Sequence, residues 1–227
     1  MSQTTELQAG TPQFRRANWA LILGGFACFT LLYGTQPLLP EFTDAFGISP
    51  TMASLTVSAG TLTLAFLLIP LSMLSDKFGR ALLMKAALLG ATIFAWASAF
   101  APSFEWLVLS RAGVGACIAA LPAAAMAYLG EEISPASRGK VMGMYIAGNA
   151  LGGMFGRFLS AVVTQYSSWH YGLAALALVG IICTVLFWRL LPQARHFKTR
   201  SLAPGALWTD VRRIYADPGL PWLFSTA

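Results

Sequence analysis

The sequence predicts an all-α membrane protein, a bundle of six transmembrane helices. Of the 227 residues, 56% are hydrophobic and only 11% are charged, and the mean hydropathy is +0.64. A soluble fold of this composition would lack the polar residues needed to cover its exterior, and the same figures exclude a disordered chain. The apolar runs are continuous over about 20 residues, which indicates helices, because the strands of a membrane β-barrel would alternate over about 10 residues.

Six apolar segments are long enough to cross the hydrocarbon core of a bilayer, at a rise of about 1.5 Å per helical residue. They are predicted at residues 19–40, 51–74, 83–102, 105–129, 141–165 and 169–191. Turn-forming residues separate them, for example Gly47-Ile48-Ser49-Pro50 and Ser134-Pro135. Residues 1–18 are expected to form an amino-terminal tail, and the six-helix domain is expected to cover residues 19–191. No cleaved signal peptide is expected, because the first apolar run is too long for one.

Beyond the sixth span, residues 192–219 are predicted to form a basic cytoplasmic connector. Within it, apolar residues recur at helical spacing, which favours an amphipathic helix lying in the headgroup region, with a mobile polar linker as the alternative. These apolar residues are Leu207, Trp208, Val211, Ile214 and Tyr215. Residues 220–227 become apolar again and are expected to be the start of a seventh helix that is cut off.

The positions of the basic residues predict the orientation in the membrane. Apart from Arg111 and Arg157, every Lys and Arg lies on one side of the predicted topology, and the three connections on the other side contain none. The positive-inside bias therefore predicts a multi-pass inner-membrane protein whose amino terminus and connector are cytoplasmic. The formal charge of +6 is explained by this topology, and no nucleic-acid partner is expected.

Arg111 and Arg157 lie within predicted spans and are candidates for a substrate or ion pathway. An arginine near the middle of a membrane helix costs at least about 2.5–3.5 kcal/mol and is normally tolerated only where it faces protein or a water-filled cavity. Because no Asp or Glu lies well inside any predicted span, the two cations indicate a site for an anion or an electron-rich group. The alternatives are snorkelling to the headgroups and pairing with a backbone carbonyl.

Charged residues cluster at the predicted cytoplasmic helix ends. Asp76, Lys77 and Arg80 form a tight turn in which Gly79 permits a positive φ, and opposite charges there could latch the helix ends together. The end of the fourth span and the connection after it add further charges that could join this network. They are Glu131, Glu132 and Arg138.

Glycines recur at every fourth residue in the fifth span. Gly148, Gly152 and Gly156 form a smooth strip that would allow close approach of another helix. Generic packing and a specific gating role are equally open interpretations of this strip.

Other chemistries find no support in the sequence. The two histidines lie outside the membrane interior, so no nucleophile–base pair is expected, and no phosphate-binding loop or metal-ligand spacing occurs. The three cysteines lie in apolar runs and predict no disulfide framework. An enzyme, a cofactor and a metal site are therefore not expected.

Three motifs resemble those of the major facilitator superfamily. Leu74 to Arg80 looks like the family's signature between the second and third helices, and Arg111-x-x-x-Gly115 resembles its fourth-helix pattern. The segment Gly148-Asn149-Ala150-Leu151-Gly152-Gly153 resembles its fifth-helix antiporter motif, with Asn149 in place of a proline. The chain is closest in appearance to the amino-terminal half of bacterial inner-membrane exporters of the arabinose-efflux and drug-resistance type.

The resemblance implies a fold of twelve helices in two halves, each half a 3+3 inverted repeat. It implies alternating access driven by protons, with helices 1 and 4 lining the cavity. We predict Asn149, Arg111 and Arg157 along the substrate or proton pathway, and Gly153 belongs to the glycine motif. The chain is thus expected to be half of a secondary transporter that exports a small organic molecule, lying in membrane lipid and lacking its carboxy-terminal six-helix half. A non-transporting membrane fragment or scaffold is the alternative.

Overall fold

A computed structural model describes residue 7 and residues 10–192, with the backbone alone at Asp76. The predicted connector beyond residue 192 and the predicted start of a seventh helix lie outside the described residues. The helices, in chain order, are α1 (Pro12–Tyr33), α2 (Leu39–Phe46), α3 (Pro50–Ala53), α4 (Leu55–Phe78), α5 (Arg80–Ala99), α6 (Phe104–Ile118), α7 (Ala120–Glu132), α8 (Pro135–Tyr166) and α9 (Trp169–Leu190). A short 3-10 helix at Gln36–Leu38 joins α1 to α2.

These helices make six segments that are long and apolar enough to cross a membrane, which confirms the predicted fold class. They are span 1 (Pro12–Phe46), span 2 (Pro50–Ser75), span 3 (Arg80–Ala99), span 4 (Phe104–Glu132), span 5 (Pro135–Tyr166) and span 6 (Trp169–Leu190). We call the end of the bundle with the connections between spans 2 and 3 and between spans 4 and 5 the Gly79 end. The opposite end, where spans 1 and 2 are joined, is the Gly47 end.

Span 1 begins at Pro12 instead of the predicted residue 19, so part of the expected tail is helical. The start is fixed by Thr11, whose side chain accepts a hydrogen bond from the backbone N–H of Phe14 at 3.2 Å, and by a proline in the first helical turn. Span 5 likewise begins at Pro135 instead of residue 141. Both spans have a proline in the first helical turn, and a side-chain cap is present at Thr11 alone of the two starts. A count of apolar residues does not include these polar turns.

The spans pack in a pattern that has the symmetry of two three-helix units. Span 1 packs against spans 5 and 6, span 4 packs against spans 2 and 3, and span 3 packs against span 6. Exchanging spans 1, 2 and 3 with spans 4, 5 and 6 reproduces this set of pairs. The packing therefore agrees with the 3+3 organisation that the resemblance implied.

Glycine allows the closest helix contact in each of the two equivalent span pairs. Between spans 1 and 5, a Cβ added at Gly152 would collide with the Phe26 carbonyl, and the Thr30 hydroxyl donates to the Gly152 carbonyl at 3.0 Å. Between spans 2 and 4, a Cβ added at Gly115 would collide with the Gly60 carbonyl. In both pairs backbone meets backbone, which side chains of any size would prevent.

Candidate functional site

A groove of about 490 Å³ opens between spans 1 and 5 and extends toward the Gly47 end. Its volume is in the range of small-molecule sites, about 300–1,000 Å³. Aromatic and aliphatic side chains, one amide and one guanidinium line it. The lining residues are Phe29, Tyr33, Ile146, Asn149, Ala150, Gly153 and Arg157.

Arg157 lies in this groove and is held by two residues of span 1. Its Nε donates to the Gln36 side-chain carbonyl at 2.6 Å, and its guanidinium carbon lies 5.0 Å from the centroid of the Tyr33 ring, a cation–π contact. Both Nη nitrogens lack a hydrogen-bond partner among residues 10–192. The guanidinium is therefore oriented by its neighbours yet keeps donors for another molecule.

Asn149 lies deeper in the groove. Its Oδ1 is buried without a hydrogen-bond partner among the described residues and packs against Gly25, where a Cβ would collide with it. The Tyr145 hydroxyl and the Asn18 Oδ1 are also buried and unpaired within the part of the chain that the structure describes. Spans 1 and 5 thus enclose polar atoms as well as their glycine contact.

Arg111 lies outside the groove and braces span 4 against span 1. The side chain is only 1% exposed, and its Nη2 donates to the carbonyls of Leu31 and Leu32 at 2.9 and 2.8 Å. Those carbonyls belong to the last turn of α1, where helix carbonyls lack partners within their own helix. Arg111 therefore has the geometry of the alternative in which a buried arginine pairs with backbone carbonyls. A place for Arg111 in the substrate or ion pathway stays a prediction.

Two residues of the predicted charged network form an ion pair at the Gly79 end, and the network as a whole stays a prediction. Gly79 adopts a φ of 97° between α4 and α5, and Arg80 forms an ion pair with Glu131, with 2.9 Å between Nη2 and Oε1. Arg80 also donates to the Ser75 hydroxyl. The ion pair joins the end of span 4 to the turn between spans 2 and 3.

The residues next to Glu131 hold the connection between spans 4 and 5. Glu132 is buried, and the Arg138 Nε donates to the Ile133 carbonyl at 2.8 Å. Leu7, from the predicted tail, donates its N–H to the Glu132 carbonyl at 2.8 Å and accepts from the Ser134 N–H at 3.3 Å. Lys77 lies apart from these contacts, with its Nζ 5.3 Å from the Phe78 ring centroid.

The glycine strip packs against the backbone of span 1 along its whole length. A Cβ added at Gly148 or Gly156 would lie 2.7 Å from the Ile22 carbonyl or 2.6 Å from the Thr30 carbonyl. Gly153, one residue beyond Gly152, lines the groove, and a Cβ added there would lie 3.2 Å from the Tyr33 ring. The strip therefore positions spans 1 and 5 so that the groove forms between them.

Sequence reasoning missed the span 1 side of this site. Phe29, Tyr33 and Gln36 were not singled out, although Gln36 is a polar residue just before Pro37 at the end of an apolar run. Thr63, whose hydroxyl donates to the Ala112 carbonyl at 2.9 Å between spans 2 and 4, was also missed. A polar residue in or at the end of an apolar run is the signal that points to Gln36 and to Thr63.

A six-span bundle of two related three-helix units, with an ion-paired turn at one end and a groove that holds one amide and one guanidinium toward the other, agrees with a membrane transport protein. The family model described as Major Facilitator Superfamily matches residues 21–227. The chain belongs to this superfamily, which confirms the resemblance. Among the described residues, no group of His, Cys, Asp or Glu side chains could hold a metal ion.

Relatives and solved structures agree with this assignment. The chain is 43% identical to the uncharacterized MFS-type transporter YybF of Bacillus subtilis over 89% of this chain and 50% of that protein. It is 40% identical to the inner membrane transport protein YnfM of Escherichia coli over 96% of this chain and 52% of that protein. A crystal structure of the peptide transporter POT matches with a TM-score of 0.74 at 16% identity, over 90% of this chain and 46% of that one.

A drug-resistance protein is among the relatives. The chloramphenicol resistance protein CraA of Acinetobacter baumannii is 26% identical over 95% of this chain and 51% of that protein. The chain spans about half the length of the curated relatives it matches.

Proposed function

We propose that the chain is the amino-terminal half of a proton-coupled exporter of a small organic molecule in the bacterial inner membrane. Membership of the superfamily across residues 21–227 carries this proposal. The relatives named as an inner membrane transport protein and as a chloramphenicol resistance protein support the membrane and the outward direction. The second half, which the longer relatives have, would complete the alternating-access unit.

The distribution of charge on the folded bundle supports a cytoplasmic Gly79 end. The connections and first helical turns at that end carry Lys77, Arg80, Arg138 and Lys140, whereas the three connections at the Gly47 end and the helical turns beside them contain no Lys or Arg. Cytoplasmic connections are richer in Lys and Arg because of the positive-inside bias. The amino terminus of span 1 then lies in the cytoplasm and the groove opens toward the outer surface.

The ion pair at the Gly79 end supports a gate. Arg80 is 12% exposed and Glu131 is 31% exposed, so both charges are partly screened from solvent. A single exposed pair is worth only about 0–1 kcal/mol. We therefore expect Arg80 and Glu131, with Asp76, to act as one network that holds the cytoplasmic helix ends closed in the outward-open state.

Accumulation in inverted inner-membrane vesicles that contain the chain together with its second six-helix half tests the proposed function. Three compounds are offered separately while respiration acidifies the vesicle interior. They are chloramphenicol and puromycin, which are named in the resistance proteins among the relatives, and the aromatic anion phenylpropanesulfonate. The proposal predicts accumulation of at least one compound above empty vesicles, lost on addition of a protonophore. No protonophore-sensitive accumulation of any of the three would favour the non-transporting scaffold instead.

Arg80→Gln and Arg189→Gln are a matched pair of variants for the same assay. Both remove one positive charge, but Arg189 lies on the surface at the end of span 6. We expect Arg80→Gln to lower the accumulation rate and Arg189→Gln to leave it unchanged. Equal rates for the two variants would remove the gating role.

A further inference from the structure

The groove between spans 1 and 5 holds a cation that nothing in it neutralises. Among residues 10–192, no carboxylate forms an ion pair with Arg157, and its bonded partner, Gln36, is neutral. An arginine charge close to lipid is costly unless a counter-charge or water compensates it. Arg157 is exposed, so its charge is open to water or to an anion.

The geometry of Arg157 suits a group with two or three oxygens. Gln36 and the Tyr33 ring fix the plane of the guanidinium through Nε and the cation–π contact. The two Nη nitrogens remain, and this edge of the planar fork binds two oxygens of a carboxylate, sulfonate or phosphonate at once. Arg111 cannot share this task, because it is buried against span 1 and its Nη2 already serves two backbone carbonyls.

The rest of the groove suits an apolar body. Phe29 and Ile146 line it alongside the side-chain amide of Asn149. From Asn149 to Arg157 the groove runs about 12 Å along the helix, at about 1.5 Å per residue. It carries a cation at one end, an amide at the other and apolar surface between them.

We propose that this groove binds the transported molecule, and that this molecule is an amphiphilic organic anion with a planar apolar body. The anionic group contacts the Nη nitrogens of Arg157, and the body lies over Phe29 and Ile146. This inference rests on the proposed function, because a molecule bound here is a substrate only if the protein transports. An anionic lipid headgroup has the same charge chemistry and is the competing occupant.

Binding to the 227-residue chain in lipid nanodiscs tests the proposal without requiring transport. Three probes share one phenylpropyl body: phenylpropanesulfonate is anionic, phenylpropanesulfonamide is neutral and phenylpropyltrimethylammonium is cationic. Equilibrium dialysis gives Kd for each. We expect the sulfonate to bind at least about tenfold more tightly than the sulfonamide, which corresponds to about 1.4 kcal/mol, and the ammonium probe to bind more weakly still.

Two matched pairs of variants locate the binding. Arg157→Gln should abolish the preference for the sulfonate, whereas Arg189→Gln removes the same charge at a distance and should keep it. Ile146→Trp fills the groove and should weaken the binding of all three phenyl probes. Leu151→Trp, on an exposed position of span 5 outside the groove, should not.

The outcomes separate this proposal from the proposed function. Equal affinity for the sulfonate and the sulfonamide, or the same sulfonate affinity in Arg157→Gln and Arg189→Gln, overturns the anion site even if the vesicles accumulate a neutral compound. Loss of sulfonate binding when phosphatidylglycerol replaces phosphatidylcholine assigns the site to lipid headgroups and overturns it too. Sulfonate binding with the expected variants, but without vesicle accumulation, upholds the anion site and removes the transport.

Discussion

Replacing Gly152 by alanine tests the backbone contact that forms the groove. Gly152 lies at the middle of the glycine strip, and a Cβ there would collide with the Phe26 carbonyl of span 1. Because that carbonyl is main chain within α1, it cannot rotate away as a side chain would. Spans 1 and 5 must therefore move apart, which also lengthens the hydrogen bond from the Thr30 hydroxyl to the Gly152 carbonyl.

Gly143→Ala is the matched control, because it makes the same change in the same helix. No atom lies within 4 Å of a Cβ added at Gly143. Alanine at this position should stabilise α8 by about 0.5–1 kcal/mol, since glycine loses more backbone freedom on folding. At Gly152 the same gain is opposed by overpacking of about 1–3 kcal/mol and a weakened hydrogen bond of about 0.5–1.5 kcal/mol.

We therefore expect Gly152→Ala to be less stable than Gly143→Ala by about 1.5–4.5 kcal/mol. Reversible unfolding of the two purified variants in mixed micelles, followed by circular dichroism against the denaturing detergent fraction, measures the difference. Equal stabilities, or a Gly152→Ala variant that is the more stable, would refute the close contact between spans 1 and 5. The same result would remove the physical basis of the groove.

Three further predictions concern orientation, the gate and the buried arginine. A cysteine that replaces Glu105 should react with an impermeant thiol reagent added outside intact spheroplasts, and one that replaces Arg138 should not; the reverse pattern would invert the topology. Glu131→Gln should lower the transport rate in vesicles while leaving the amount of inserted protein unchanged, because it removes the charge opposite Arg80; an unchanged rate would contradict the gate. Arg111→Lys should lower the free energy of unfolding in mixed micelles by about 1.5–3 kcal/mol, because an ammonium cannot reproduce both carbonyl bonds in the fork geometry. A free energy of unfolding equal to that of the wild type would show that these bonds contribute nothing.

The spans could be predicted from the sequence because each needs about 20 apolar residues that are consecutive in the chain. Their ends were less predictable, since Thr11 and Pro135 act through capping and backbone geometry rather than through hydropathy. The interruption of span 4 between Ile118 and Ala120 was also missed. It falls in an apolar run, so hydropathy gives no sign of it.

The site was predictable in its residue types but not in its arrangement. Arg111 and Arg157 looked alike in the sequence, because both are single charges within apolar runs. In the structure Arg111 meets main-chain carbonyls and Arg157 meets an aromatic ring and an amide. Every residue has a backbone carbonyl, so the sequence does not show which arginine donates to one. That depends on packing between spans that are far apart in the chain.

The central claim is that the groove between spans 1 and 5 is the path of a proton-driven exporter. The most direct test is whether protons move when an organic anion is transported. Proteoliposomes that contain the protein and a trapped pH-sensitive dye receive phenylpropanesulfonate on one side, which cannot carry protons itself because it stays ionised. The account predicts protonophore-sensitive proton movement against the direction of the sulfonate, retained in Leu151→Trp and lost in Ile146→Trp. Absence of proton movement, or equal movement in the two variants, would contradict it.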